Sequence, residues 1–458
     1  MLDISRAGVD RSNAVVCLEN GTTTTGTNTP HSNASNNSSS RKYCTNRPTN
    51  GEDLREYAHR LCRDYLRGAW LSVHSHELII KKVSGGLSNL LYYCALPNNV
   101  QTAGTEPRRL LLRLYGNVNS ERAIENLITE SVIFALLSET QRGPRLYGVF
   151  SGGRLEEYIQ ARPLSTSELT DTTISALIAD KMAQIHLMDV PINKQPKWLW
   201  QTMHSWIKQI EDLTSSAFVS QSSKGEMINF VKKLDLSNEL NWLKEYLTSI
   251  RSPVVFCHND LQEGNILLRE SGIFDDDNGN NNNINCDHQN VIAPHTMSSN
   301  CAKTGGIGSE KKQLNSEQLV VIDFEYCSYN YRGFDFANHF CEWTYDYSNQ
   351  DAPYFWHIEA NKPTKMQMEH FIRSYLTSLA KYPEYKHREE DTVQRILREV
   401  TAFTLASHFF WGLWSVVNAT ASEITFDYWG YGESRFKEYY RHKREIVTGW
   451  APPNAENH

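Results

Sequence analysis

Val254-Val255-Phe256-Cys257-His258-Asn259-Asp260-Leu261-Gln262-Glu263-Gly264-Asn265 is the stretch on which the fold reading turns. Its opening residues are a short apolar, β-branched run, the pattern of a buried strand. A polar segment follows with the spacing H-x-D-x-x-x-x-N. In phosphoryl-transfer sites that spacing lets the Asp accept or orient the proton of an attacking hydroxyl, while the Asn five residues on turns back to hold a divalent cation. An ordinary polar turn after a strand uses the same residue types, so the loop needs a partner elsewhere in the chain.

That partner stands after a second apolar strand, Leu319 to Ile322, in the run Ile322-Asp323-Phe324-Glu325-Tyr326. A lone Asp after a strand is commonly a turn former. Paired with the first loop, it completes a set of one base and two hard oxygen ligands, Asp260 with Asn265 and Asp323, which suits Mg²⁺. The long gap between Asn265 and Asp323 contains Asp275-Asp276-Asp277-Asn278-Gly279 and Asn280-Asn281-Asn282-Asn283. We read about 274–317 as a disordered surface insertion.

Upstream, Ser84-Gly85-Gly86-Leu87-Ser88-Asn89-Leu90-Leu91 opens a strand, and its glycines would let backbone N–H groups approach phosphate oxygens. A plain Gly-Gly turn is the alternative. Arg113 lies within Leu110-Leu111-Leu112-Arg113-Leu114-Tyr115, and a cation among apolar strand residues needs an anion. Glu130, on the helix expected from Ile124, Leu127, Ile128, Val132, Ala135 and Leu136, is the candidate partner; Asn119 and Ser120 are its capping candidates. A structural salt bridge without a nucleotide role would look the same.

The bulk composition is that of a globular protein. The 458 residues exceed what one core usually serves, and a net charge of -7 argues against nucleic acid as the main partner. Residues 1–48, rich in Thr, Asn and Ser, are expected to be a disordered tail. Residues 49–160 read as a small β-rich lobe and 161–458 as a larger, mostly helical lobe, an α+β class. Nine cysteines without a CxxC pair read as free thiols of a reducing compartment. No secretory leader is expected in the first 30 residues. Val400 to Ala421 is apolar enough to suggest a membrane span, but a buried helix is the expectation, with no stable membrane insertion.

Several longer words carry a resemblance: Gly85-Gly86-Leu87-Ser88-Asn89, Leu112-Arg113-Leu114-Tyr115-Gly116, Cys257-His258-Asn259-Asp260 through Asn265, Ile322-Asp323-Phe324-Glu325-Tyr326 and Phe340-Cys341-Glu342-Trp343. Over roughly residues 50 to 450 the chain resembles the choline/ethanolamine kinase family, more specifically its choline kinase branch. The resemblance implies a two-lobed protein-kinase-like fold, ATP and Mg²⁺ as cofactors, phosphocholine as product, a cytoplasmic location and a homodimer. It implies Asp260 as catalytic base, Asn265 and Asp323 as Mg²⁺ ligands, and Arg113 with Glu130 as the ATP-positioning pair. Glu157, Tyr158, Ile159, Gln160, Ala161, Arg162 and Pro163 match the stretch that borders the nucleotide, departing from the family wording at Ala161 and Pro163.

For the acceptor, chemistry and resemblance point the same way. A trimethylammonium group has no N–H to donate and is recognised by aromatic faces and a nearby carboxylate. Trp411 and Trp414 share a helix face, and Tyr428 and Tyr431 follow. By resemblance these four, with Glu342 and Tyr347, approach the ammonium, while Tyr326 and Gln262 lie near the hydroxyl end. A Trp/Phe helix that only packs the core is the alternative for Trp411 and Trp414. Ethanolamine as an additional or preferred substrate, a catalytically silent scaffold, and a kinase for another small hydroxyl compound such as an aminoglycoside stand as competing readings.

Overall fold

The computed structural model describes residues 51–83, 90–102, 104–115, 121–215, 229–269, 314–422 and 424–448. The expected tail, most of the insertion expected at 274–317, the Gly85 to Asn89 turn and the capping candidates Asn119 and Ser120 lie outside them. Helix α1 (Gly51–Tyr65) precedes strands β1 (Ile79–Val83), β2 (Leu90–Ala95) and β3 (Arg109–Leu114), then helix α2 (Glu121–Glu139) and strands β4 (Leu146–Phe150) and β5 (Gly153–Glu157). The strands form one antiparallel sheet in the order β1-β2-β3-β5-β4.

Alternation along β3 and β5 gives this sheet two different faces. Leu110, Leu112, Leu114 and Leu155 are buried with Ala58, Leu61 and Cys62 of α1 and with Trp70. Leu111, Arg113 and Glu156 point the other way, into a cleft. The pairing places Arg113 opposite Arg154 and Leu114 opposite Gly153. A Cβ at Gly153 would stand 2.2 Å from the Arg113 carbonyl, so glycine lets the two strands close there.

Helix α2 is rotated from the face expected of it. Ile133, Phe134 and Leu137 are buried, whereas Ile128 is 60% exposed. The three buried residues belong to the core of the second lobe, beside Leu164, Phe256 and Phe324. The periodicity misled because α2 docks against both lobes, and its lobe-bridging stripe, Glu130, Ile133, Phe134 and Leu137, includes a charge.

In the second lobe β6 (Arg162–Pro163), β8 (Ile266–Leu268) and β9 (Leu319–Val321) form one small antiparallel sheet, and β7 (Val254–Cys257) pairs with β10 (Ser328–Tyr331). Around them lie α3 (Thr172–His186), α4 (Trp198–Ser215), α5 (Leu236–Ile250), α6 (Arg332–Glu342), α7 (Lys365–Leu379), α8 (Val393–Ala421) and α9 (Tyr428–Thr448). Residues 314–317, counted with the insertion on sequence grounds, instead lead into β9 through a turn. Asn315 and Gln318 cap it reciprocally, and Ser316 Oγ donates to Asp180 (2.7 Å).

Helix α8, 29 residues long, is the apolar stretch that resembles a membrane span. Here it is a core helix: Phe403, Leu405, Ala406, Phe409, Phe410 and Leu413 are fully buried. It packs against α6, α9 and α4. Contact with α9 is close because Gly412 and Gly432 face it; a Cβ on Gly412 would meet Phe436 at 3.0 Å. At the other end Arg332, fully buried, holds Glu399 (2.7 Å) and Asp391. Removing one member of such a buried group costs about 3–5 kcal/mol, so this knot pins α6 to α8.

Candidate active site

Two strand ends make one floor. After β7 the backbone enters the left-handed region at Asn259 (φ 68°), and after β9 it does so at Asp323 (φ 63°). Asn and Asp tolerate that conformation better than most residues. Asp335 of α6 fixes the first turn, its carboxylate accepting from the backbone N–H of His258 (3.0 Å) and Asn259 (2.7 Å) and bonding His186 Nε2 (2.9 Å). Burial alone would push the Asp335 carboxyl up, but these hydrogen bonds and the neighbouring imidazoles hold it below its ordinary value. Asn259 is pinned in turn, donating to the Tyr326 carbonyl (2.9 Å) and to Ser328 Oγ (2.9 Å). The Ile322 N–H donates to the Asn265 carbonyl (3.0 Å) and joins the second turn to the first.

Asp260, Asn265 and Asp323 consequently line one cleft of about 650 Å³ between the lobes. Asn265 Nδ2 donates to the Asp260 carboxylate (2.9 Å) and to its backbone carbonyl (2.9 Å). That leaves the Asn265 amide oxygen as the end able to ligate a cation. Burial, then the carboxylates of Glu342, Asp323 and Glu325, push the Asp260 carboxyl well above its ordinary range. Its carboxylate is therefore a stronger base than one in water, as acceptance of a hydroxyl proton requires.

Arg113 does not pair with Glu130. It donates to Asp323 Oδ1 (3.0 Å) and lies 3.6 Å from Glu156, while Glu130 pairs with Arg154. The strand register explains the exchange: Arg154 sits opposite Arg113 and also engages Glu156 (2.5 Å), so it stands between Arg113 and α2. Arg113 and Arg154 are both buried, at 5% and 1% exposure, and share Glu156 as countercharge. Arg154 and Glu156 went unnoticed in the sequence, although two charges flanking Leu155 at alternate strand positions were the available signal.

Of the nucleotide-side residues expected, Leu91, Arg113, Glu157, Tyr158, Ile159, Pro163 and Gln262 line the cleft; Leu90, Glu130, Gln160, Ala161 and Arg162 do not. Gln160 is exposed, and Arg162 turns away to Glu168 (2.7 Å). Val83, Leu91, Leu111, Ile159, Leu164 and Ile322 give this part of the cleft apolar walls, suited to a flat heterocycle. Gln262 accepts from the Gly264 N–H (2.8 Å) and so shapes the loop as well as lining it.

At the other end the lining becomes aromatic: Tyr326, Tyr347, Trp411, Trp414 and Tyr431, with Glu342, and also Tyr354 and Phe426, which sequence reasoning did not single out. Trp411 Nε1 donates to Asn338 Oδ1 (2.6 Å), and its ring meets Tyr326 and Trp414 edge to face at 5.5 and 5.4 Å. Tyr428 is not part of the lining. Its ring lies tilted behind Trp414 (5.6 Å) and its hydroxyl meets Ser422 (2.9 Å), because it is the first residue of α9 and turns toward the end of α8.

Glu263 also borders the cleft; burial pushes its carboxyl well up, and Oε1 accepts from Thr166 (3.2 Å). Two further groups of metal-ligand type occur among the described residues, His186 with Cys257 and Asp335, and His408 with Glu438 and His442. Neither lines the cleft. In the first His186 and Asp335 bond to protein, and in the second Glu438 already pairs with Arg441.

Comparison with known proteins gives the family and the fold. The choline/ethanolamine kinase family profile matches residues 80–440. A choline/ethanolamine kinase of Rattus norvegicus is 42% identical over 405 residues, spanning 87% of this chain and 89% of its own. Choline kinase A2 of Caenorhabditis elegans is 40% identical over 397 residues, covering 86% of each chain. The crystal structure of a choline kinase from Cryptosporidium parvum superposes with a TM-score of 0.62 at 24% identity, covering 86% of this chain and 96% of that one. At that identity the superposition speaks for the fold, the two-lobed protein-kinase-like one. The chain belongs to the choline/ethanolamine kinase family.

Proposed function

We propose that this chain is a choline kinase, transferring the γ-phosphoryl group of ATP to the hydroxyl of choline to give phosphocholine. One observation carries the proposal: a single cleft joins Asp260, Asn265 and Asp323 at its floor to a box of aromatic faces at one end. A quaternary ammonium held among Tyr347, Trp411, Trp414 and Tyr431 leaves its hydroxyl arm pointing to the floor, where Asp260 takes the hydroxyl proton. Asn265 Nδ2 keeps that carboxylate oriented.

The donor chemistry fits Mg²⁺, since the Asn265 amide oxygen and the Asp323 carboxylate are hard oxygen ligands. Bound there, the ion would neutralise charge on the phosphate oxygens during transfer. Arg113, held against Asp323, would add fixed positive charge near those oxygens. The five described cysteines are free thiols, which suits a cytoplasmic enzyme.

The test is phosphocholine formation by purified protein with ATP and Mg²⁺, run beside ethanolamine. Turnover of choline with the higher kcat/KM is expected. No product at millimolar choline would favour a silent scaffold. A clear preference for ethanolamine would move the assignment to an ethanolamine kinase, whereas slower turnover of it beside choline is what the naming of relatives as choline/ethanolamine kinases favours.

A further inference from the structure

The carboxylate of the aromatic pocket is not an open charge. Arg435 pairs with Glu342 Oε1, and the Tyr347 hydroxyl donates to Oε2 (2.8 Å). The same guanidinium nitrogen, Nη2, donates to the Tyr431 hydroxyl (2.5 Å), which lies 2.8 Å from the Tyr347 hydroxyl. One nitrogen of α9 thus ties together the acid and two of the aromatic walls. Arg435 itself does not line the cleft; it is 0% exposed, with its Cζ over the Tyr345 ring, 3.7 Å from the ring centre. That stacking occupies the guanidinium face, and Nε and Nη1 have no hydrogen-bond partner. Among the described residues Glu342 has no second salt-bridge partner.

Two physical consequences follow from this arrangement. Arg435 partly compensates the Glu342 charge from behind the lining, so a ligand meets π faces beside a screened rather than a bare anion. Each Glu342 oxygen also already accepts one strong hydrogen bond, which leaves fewer lone pairs for a further donor. A trimethylammonium group, without N–H, loses nothing by that; a primary ammonium carries three donors and needs acceptors for them.

We propose that Arg435 is a positioning residue that makes this pocket favour a methylated ammonium, by holding Tyr347 and Tyr431 in place and taking up charge and acceptor capacity of Glu342. The inference rests on the proposed function, and its test separates the two. Steady-state kinetics of Arg435→Gln and Arg435→Lys are measured with choline, ethanolamine and ATP, alongside quenching of tryptophan fluorescence by choline.

Arg435→Gln should raise choline KM about tenfold and lower the choline-to-ethanolamine ratio of kcat/KM about fivefold, with ATP KM within about twofold. Arg435→Lys should restore most of the ratio, because the charge returns, while choline KM stays about threefold high without the planar stack on Tyr345. If Arg435→Gln does not fold, Tyr347→Phe decides: it uncovers Glu342 Oε2 with Arg435 intact and should lower the ratio about threefold.

An unchanged ratio in folded Arg435→Gln, or in Tyr347→Phe, overturns the inference. So does a parallel loss for both alcohols, which a merely structural role would give. Wild-type protein that neither phosphorylates choline nor shows quenching overturns the proposed function and this inference together; a choline-active wild type with an unaltered variant overturns the inference alone.

Discussion

The two ends of the cleft are built on opposite plans. The floor is made of short loops after strands, held by backbone hydrogen bonds to one buried acid, Asp335, so that Asp260, Asn265 and Asp323 sit where the main chain puts them. The aromatic end is made of side chains from α6, α8, α9 and the segment after α6, held by a side-chain network through Arg435. Backbone-built geometry is rigid and suits positioning for chemistry; a side-chain network can be tuned residue by residue, which suits choice of substrate.

If that division is real, changes at the floor act on kcat and changes in the box act on choline KM. Asp260→Ala or Asp323→Ala should lower kcat about a thousandfold or more, with choline KM within about threefold. A near-normal rate in either would break the comparison at its root. Trp411→Ala should raise choline KM about tenfold and leave ATP KM within about twofold. If ATP affinity alone suffered, the aromatic end would not be the acceptor site.

His339 joins the two ends, bonding the Leu261 carbonyl through Nδ1 (2.9 Å) from its place on α6. Burial lowers its pKa to about 4, against the ordinary 6.5, so protonation favours the unfolded chain. Its contribution to stability is complete above pH 6.5 and is lost as pH falls toward 4. Thermal melts should show Tm dropping across that window and dropping less steeply in His339→Gln. The smallest effect belongs to Tyr428→Phe, which removes a hydroxyl bonded to Ser422 behind Trp414 and should move choline KM less than about twofold. A larger change would return Tyr428 to the lining.

The same contrast explains what the sequence made legible. The floor is written in contiguous words, His258 to Asn265 and Ile322 to Tyr326, because its three working residues lie in two short loops whose spacing is local. Arg113 was recognisable as a cation needing an anion, but its partner depended on the β3–β5 register, which no local pattern reveals; Glu130 therefore appeared where Asp323 and Glu156 belong. Helical spacing and family resemblance found Trp411 and Trp414 but placed Tyr428 in the lining, since spacing does not tell a first-turn residue facing a neighbouring loop from one facing a pocket. Arg435 was hidden among Glu433, Lys437, Glu438, Arg441, Lys443 and Arg444, a run that reads as a solvated face. Its only signal was a position four residues after Tyr431. Asp335 had none.

Helix α8 also matters before the enzyme exists. It is apolar enough to cross a bilayer, and much of its cover comes from α9, which follows it in the chain and leaves the ribosome later. For that interval the nascent chain displays a long greasy helix, the kind of surface that holdase chaperones bind and that aggregates when they are scarce. Expression yield should therefore be governed by how fast α9 docks.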